Sequence, residues 1–295
     1  MLKPLSARHR EPAYAFLTAN GLRDVYLASK IHDGALTEPD GAAQGRFVGA
    51  FDGERLTGVM FLGSGGLVVF ASDLAHVRKR FAERAWEERA RIRLVVGEWE
   101  QVTDFWGHLT ASGLSSSRDW REVFMVATPD DLIDERLPEL RLAVPGDLDQ
   151  LADLSARAYF EETGLDPIAS MGEGYRRHLA RNVEERASYV LEEKGRLVFK
   201  ADLSARCPIG AQIVGVFTET DRRGQGLARR GVAEIVRRLH AEGTPAVCLF
   251  VREDNAPARR AYERAGFVAS MHYRRLFVEP ASVKKAAPRE KRVAS

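Results

Sequence analysis

The chain has 295 residues, enough for two ordinary domains, and its 45% hydrophobic and 29% charged residues exclude a disordered or fibrous protein. Lysine plus arginine (44) nearly cancel aspartate plus glutamate (42), and the resulting +2 gives no global drive towards nucleic acid or an anionic membrane. No apolar run approaches the ~20 residues that span a bilayer, and the segment Met1 to Glu11 lacks the apolar core of a signal peptide, so a cytoplasmic location is expected.

In chain order, Tyr14, Phe16, Leu17, Leu22, Val25, Tyr26, Leu27 and Ile31 give a weak helical pattern, followed by a polar, glycine-rich loop. Strand patterns at 47–51 and 56–62 flank Asp52-Gly53-Glu54-Arg55, a hairpin signal. A strand follows at 67–71. Asp73 is placed to cap a helix over 74–90, with Leu74, Val77, Phe81 and Ala85 on one face. A strand at 92–96, a helix at 102–114 and a strand at 123–127 complete an alternating α/β half, residues 1–130.

Thr128-Pro129-Asp130-Asp131 opens a charged linker, set at 131–139. The second half, 140–279, starts with a strand at 140–144 and an amphipathic helix carrying Leu148, Leu151, Leu154 and Ala158. The run 159–167 reads as a loop bearing the adjacent acids Glu161 and Glu162. A helix at 174–184, strands at 188–192, 196–201 and 209–218, a long helix, a strand at 247–251, a short helix and a strand at 273–278 follow. The two halves share the late order strand, helix, strand, helix, strand, which predicts two copies of one α/β (α+β) architecture in tandem. The basic segment 280–295 lacks apolar periodicity and is expected to be a disordered tail. Cys207 and Cys248 have no CxxC spacing and read as small buried hydrophobes in a reducing compartment, with no metal site expected.

One stretch carries chemistry. The strand ending Val214-Gly215-Val216-Phe217-Thr218-Glu219 runs into Arg222-Arg223-Gly224-Gln225-Gly226-Leu227-Ala228. Glycines there permit a tight turn and close approach of a ligand, while the following helix offers unpaired N–H groups suited to a pyrophosphate. No Gly-Lys-Ser/Thr follows, so it is not a Walker loop, and it misses the dinucleotide glycine pattern. A solvated helix start is the plainer alternative. After the strand at 247–251, Asn255 is suited to cap a helix with Pro257 in its first turn and Tyr262 further along.

Taken together, Val214–Glu219, Arg222–Ala228 and Asn255-Ala256-Pro257-Ala258-Arg259-Arg260-Ala261-Tyr262 through Gly266-Phe267 resemble the GNAT superfamily of acyl-CoA N-acetyltransferases, here in a tandem form. The resemblance covers 140–278 and implies two GNAT-like domains, each a mixed, largely antiparallel sheet flanked by helices. It implies that acetyl-CoA is the co-substrate. Backbone groups at Val216, Phe217 and Thr218 would hold its pantetheine arm. Those at Arg223, Gly224, Gln225, Gly226, Leu227 and Ala228 would hold its pyrophosphate, with the side chains of Arg222 and Arg223 adding charge. Asn255 and Ala258 would adjoin the pantetheine, and Tyr262 the thioester sulfur. The plainer roles are a helix cap for Asn255 and a core aromatic for Tyr262. Asp221 stands where the family turn usually has Gln or Arg, and an acid beside a pyrophosphate must point away, towards Arg222 or Arg230.

An alkylammonium of pKa ~10.4 is deprotonated in only about one part in 2,500 at pH 7, so direct attack on a thioester needs a base. Glu219, Glu161 and Glu162 are the candidates. The first half has Ser72-Asp73 where the second has its glycine turn, so it is expected to bind no CoA and instead to shape the acceptor pocket or the interdomain face. The expected activity is acetyl transfer to a primary amine of a small molecule or peptide, by a monomer or homodimer that binds neither nucleic acid nor membrane. The alternative is a non-catalytic acyl-CoA sensor.

Overall fold

The structure, a computed structural model, describes residues 1–37 and 44–279, so the expected tail at 280–295 lies outside the described residues. The first half contains β1 (Leu2–Pro4), α1 (Arg10–Thr18), α2 (Val25–His32), β2 (Gly45–Asp52), β3 (Arg55–Gly63), β4 (Leu67–Ala71), α3 (Ala75–Trp86), β5 (Leu94–Glu98), α4 (Trp99–Ala111) and β6 (Ser116–Ala127). The second contains β7 (Arg141–Leu142), α5 (Leu148–Thr163), α6 (Pro167–Met171), α7 (Glu173–Glu184), β8 (Ser188–Glu193), β9 (Arg196–Cys207) and β10 (Gly210–Thr218). It ends with α8 (Leu227–Ala241), β11 (Val247–Arg252), α9 (Ala256–Glu263) and β12 (Val268–Val278).

The twelve strands of the described residues join one sheet, in the order β1-β2-β3-β4-β5-β12-β6-β11-β10-β9-β8-β7. Each half contributes one parallel pair, β4 with β5 and β10 with β11, while the other pairs are antiparallel. The final strand of each half crosses over: β12 lies against β5, and β6 lies against β11. The chain boundary near the linker is therefore not a break in the sheet.

Side-chain alternation sets the layers. Val123, Met125 and Ala127 of β6 enter the core with Val232, Ile235, Val236 and Leu239 of α8 and Tyr262 of α9. Phe124 enters a different cluster with Leu27 and Ile31 of α2 and Tyr273 of β12. Leu151 and Leu154 of α5 and Val183 of α7 cover Val190, Leu197 and Phe217 at the far end of the sheet. Phe81 of α3 and Phe105 of α4 pack with Phe70 and Leu276.

Several boundaries differ from the sequence reading, each for a physical reason. Leu74 is itself the N-cap of α3 and is 41% exposed, so it lies outside the buried stripe. Asp73 does not cap that helix, because its carboxylate accepts from Arg23 at 2.9 Å and Gln101 at 3.1 Å. Residues 159–163 continue α5 rather than forming a loop, and the helix stops only where Gly164 adopts a left-handed conformation (φ 64°). Tertiary pairing extends β6 and β9 to 12 residues each, beyond their apolar cores. Both cysteines are free and buried, and burial raises both thiols above their ordinary range, which suits packing rather than thiolate chemistry.

Candidate active site

The site forms where β10 and β11 part. Their parallel register runs from Ala211↔Val247 to Ile213↔Leu249 and then ends. On its other edge β10 shifts register against β9 between Val214 and Phe217. Gly215 makes this bulge possible at φ 58°, and a Cβ there would stand 3.2 Å from Lys200 Nζ and Asp202 Oδ2. Beneath it, buried Lys200 donates to Asp202 (2.5 Å) and to Ser155 of α5 (2.8 Å), pinning the sheet to the helix. Among the described residues Val216, Phe217 and Thr218 thus have no register partner on the β11 side, and the Thr218 hydroxyl is buried without a hydrogen-bond partner.

The strand then enters the arginine–glycine turn. Gly226 is the N-cap of α8 in the left-handed conformation (φ 77°), and no side chain satisfies the first N–H groups of that helix. Gly224 is also left-handed (φ 76°), with no atom within 4 Å of where a Cβ would project. Leu227 is buried in the core and Ala228 packs against it, which fixes the helix start. Arg222 reaches Glu193 at 2.8 Å but leaves its Nε buried and unpaired, and Arg223 donates to the Thr218 carbonyl at 3.0 Å. Gln225 donates to the Asp221 carbonyl at 3.3 Å, closing the turn. Asp221 does point away from the helix start, but towards Arg196 (2.6 Å) rather than Arg222 or Arg230. Uncapped donors, two left-handed glycines and two arginines fit a pyrophosphate.

The opposite wall comes from α9. Asn255 caps this helix, its Oδ1 accepting from the Ala258 N–H at 3.2 Å, which leaves its amide NH2 for a ligand. Tyr262 is 7% exposed, and its ring packs against Phe267 with centroids 6.3 Å apart. Its hydroxyl has no hydrogen-bond partner among the described residues. Burial, reinforced by the charge of Glu162, raises this phenol far above its ordinary value, so it keeps its proton at any working pH.

The three candidate acids differ sharply. Glu219 is 6% exposed and accepts both guanidinium N–H groups of Arg157 at 2.7 Å, and this pairing holds its carboxyl below the usual range. It is a strut between α5 and the end of β10 rather than a free base. A folded-state pKa below the unfolded ~4.3 contributes stability above that pH, which is lost as pH falls through the folded value. The stability gap between wild type and Glu219→Gln in urea melts is therefore expected to be full at pH 7 and to close below about pH 4. Glu161, on the last turn of α5, is engaged by Arg223 at 2.6 Å. Glu162 has no hydrogen bond or ion pair among the described residues, and its charge reaches Tyr262. Of the three, Glu162 alone acts on the phenol through its charge.

The corresponding place in the first half is already filled. β4 and β5 part beyond Val69↔Val96, as β10 and β11 do, but the Gln101 side chain accepts from the Ser72 N–H at 3.2 Å and plugs the wedge. Gln101 is 6% exposed and also donates to Asp73 at 3.1 Å. Sequence reasoning missed Gln101 and Arg157. Arg157 sits four residues after Asp153, a spacing that reads only as a surface helix pair.

Comparison with known proteins extends this geometry. A model of the Acetyltransferase (GNAT) family matches residues 148–267, from α5 to just beyond α9. Over 149 residues the chain is 30% identical to S-(2-succino)cysteine N-acetyltransferase of Bacillus subtilis (strain 168), a match covering 45% of this chain and 86% of that protein. It is 42% identical over 60 residues to Mycothiol acetyltransferase of Brachybacterium faecium, covering 20% of this chain and only 18% of that relative. A tandem GNAT protein from the clavulanic acid biosynthesis pathway shares the fold at 15% identity and a TM-score of 0.59, over 94% of this chain and 97% of that one. Among the described residues no group of metal-ligating side chains is found, and no helix is long and apolar enough to cross a membrane. The family match spans the same strand, glycine turn and capped helix that build the cleft, and the chain belongs to the GNAT acetyltransferase family and is an acyltransferase.

Proposed function

We propose that residues 140–279 transfer an acetyl group from acetyl-CoA to a primary amine of a small molecule or peptide, by direct attack of the amine on the thioester. What supports this reading is the uncapped start of α8 following the parted edge of β10, with Tyr262 of α9 in the same core cluster as Leu227 of α8 and Val251 of β11. In it the N–H groups from Gly224 to Ala228 and the side chains of Arg222 and Arg223 hold the pyrophosphate. The β10 edge at Val216–Thr218 pairs with the pantetheine amides, and the Asn255 NH2 and the α9 start at Ala258 flank the arm. Tyr262 hydrogen-bonds the departing thiolate. Its protonated form is required for that, which its raised pKa supplies.

The B. subtilis relative is named for N-acetylation of S-(2-succino)cysteine, so cysteine S-conjugates are the first acceptors to try. Incubation with acetyl-CoA and a panel of cysteine conjugates, amino acids and alkylamines is expected to release free thiol and a mass-shifted amide. Tight binding of acetyl-CoA with no thiol release from any amine would instead identify a sensor. Calorimetric titration of CoA is expected to give one site per chain, because Gln101 occupies the equivalent wedge of the first half. Two tight sites would overturn that assignment.

A further inference from the structure

The strand exchange brings a first-half acid, Glu122, against the end of β11 in the second half. Arg252, the last residue of β11, pairs across the sheet with Glu122 of β6, and Glu122 pairs in turn with Tyr273 of β12. Adjacent strands stand ~4.8 Å apart, so Glu122 is one strand away from the turn that carries Asn255 and opens α9. That turn is tied to β6, since the Glu253 N–H donates to the Arg121 carbonyl at 2.9 Å. Val123 and Met125 enter the core beneath α8 and α9, so alternation puts Glu122 and Trp120 on the other face with Phe124, where Glu162 at the end of α5 acts on Glu122.

Glu122 is only 2% exposed. One carboxylate oxygen, Oε1, accepts from Arg275 Nε at 3.0 Å, while Oε2 is buried with no hydrogen-bond partner among the described residues. Leaving such an oxygen unpaired is costly, and a fold retains it where a ligand donor completes it. The charged groups acting on it are Arg275 of β12, Glu162 of α5 and Arg252 of β11, with Tyr159 of α5 coupled to the same Arg275 and Glu162. Arg252 is neutralised by Asp254 at 2.5 Å. Glu162 and Arg275 act on Glu122, and Arg118 of β6 acts on the neighbouring Tyr159, so what the cluster lacks is a hydrogen-bond donor to Oε2, which an ammonium supplies. Glu162 acts on both Glu122 and Tyr262, so proton acceptor and proton donor share one neighbour.

We propose that Glu122, supplied by the first half, receives the acceptor's ammonium on its free Oε2 and removes its proton, making the active site shared between the two halves. The proposal rests on the acyl-transfer reading above. One ammonium proton passes to Glu122, and the freed amine nitrogen bonds to the thioester carbonyl carbon as the C–S bond breaks. The sulfur leaves as a thiolate hydrogen-bonded by Tyr262 and takes up the proton released by the nitrogen that becomes the amide, and Glu122 returns its own proton to solvent. Burial raises the Glu122 carboxyl and the Arg275 guanidinium opposes that rise, bringing the base closer to the pH at which it works.

The test uses the full chain with acetyl-CoA and S-(2-succino)cysteine, or whichever panel amine releases thiol fastest. Glu122→Gln is expected to lower kcat/KM at pH 7 by about 100-fold or more and to abolish the acidic limb of its pH profile. The Kd for acetyl-CoA should stay within about twofold, since Glu122 contacts the acceptor and not the pyrophosphate turn. Arg275→Met keeps the base but removes its cation, and should move the acidic limb to higher pH; a structural Glu122 would produce no such shift. A Glu122→Gln enzyme within about threefold of wild type with an unchanged profile overturns the proposal. If that variant fails to fold, an unmoved limb in Arg275→Met overturns it instead. Wild-type protein that binds acetyl-CoA yet acetylates no amine overturns the acyl-transfer reading, and this assignment with it.

Discussion

Tyr262→Phe is expected to lower kcat about 100-fold while leaving the Kd for acetyl-CoA within about twofold. The reference pKa of a phenol, about 10, exceeds that of a thiol, about 8.5, so full proton transfer to the thiolate is uphill by about 2 kcal/mol. Burial widens that gap by raising the Tyr262 phenol further. Its larger contribution is therefore a hydrogen bond that strengthens as charge develops on sulfur in a dry site. A 100-fold loss corresponds to about 2.7 kcal/mol, the low end for a positioned acid, as suits a good leaving group. The substitution is clean because the hydroxyl bonds to no described residue, so the ring can keep its packing against Phe267. Rapid-quench measurement of acetyl transfer separates chemistry from product release. An unchanged chemical rate would leave Tyr262 as a core aromatic only.

The parts of this site that follow local rules were legible in the sequence. The glycine turn, the Asn255 cap and the apolar stripe of α8 each depend on residues within a few positions of one another. What could not be read depends on strands meeting across the sheet. Residues 159–163 look like a loop because Tyr159, Phe160, Glu161 and Glu162 break the apolar period, yet packing of α5 carries the helix on to Gly164. Glu219 looks like a free base until Arg157, 62 residues earlier, occupies both its oxygens. Gln101 and Glu122 belong to the half that lacks a phosphate turn, and only the crossing of β6 and β12 gives Glu122 a place beside β11. Tandem repetition could be predicted from the order of elements, whereas exchange of the last strands could not.

Gly226→Val is expected to weaken acetyl-CoA binding by at least about 100-fold, or about 2.7 kcal/mol. Gly226 is left-handed at φ 77°, where an L residue costs about 1–2 kcal/mol and a β-branched one more. The chain can relieve that strain only by rebuilding the start of α8, and this turns the N–H groups of Leu227 and Ala228 away from the position where they converge. Backbone donors carry most of the proposed grip, so Arg222 and Arg223 cannot compensate as flexible point charges alone. Strain by itself must be separated from loss of the site. Gly53, left-handed at φ 57° in the β2–β3 turn with no atom near its missing Cβ, provides the control. Gly53→Val should carry a comparable backbone penalty in denaturant melts and leave the calorimetric Kd for acetyl-CoA unchanged. Equal losses of affinity in the two variants would mean that general destabilisation, and not the start of α8, governs binding.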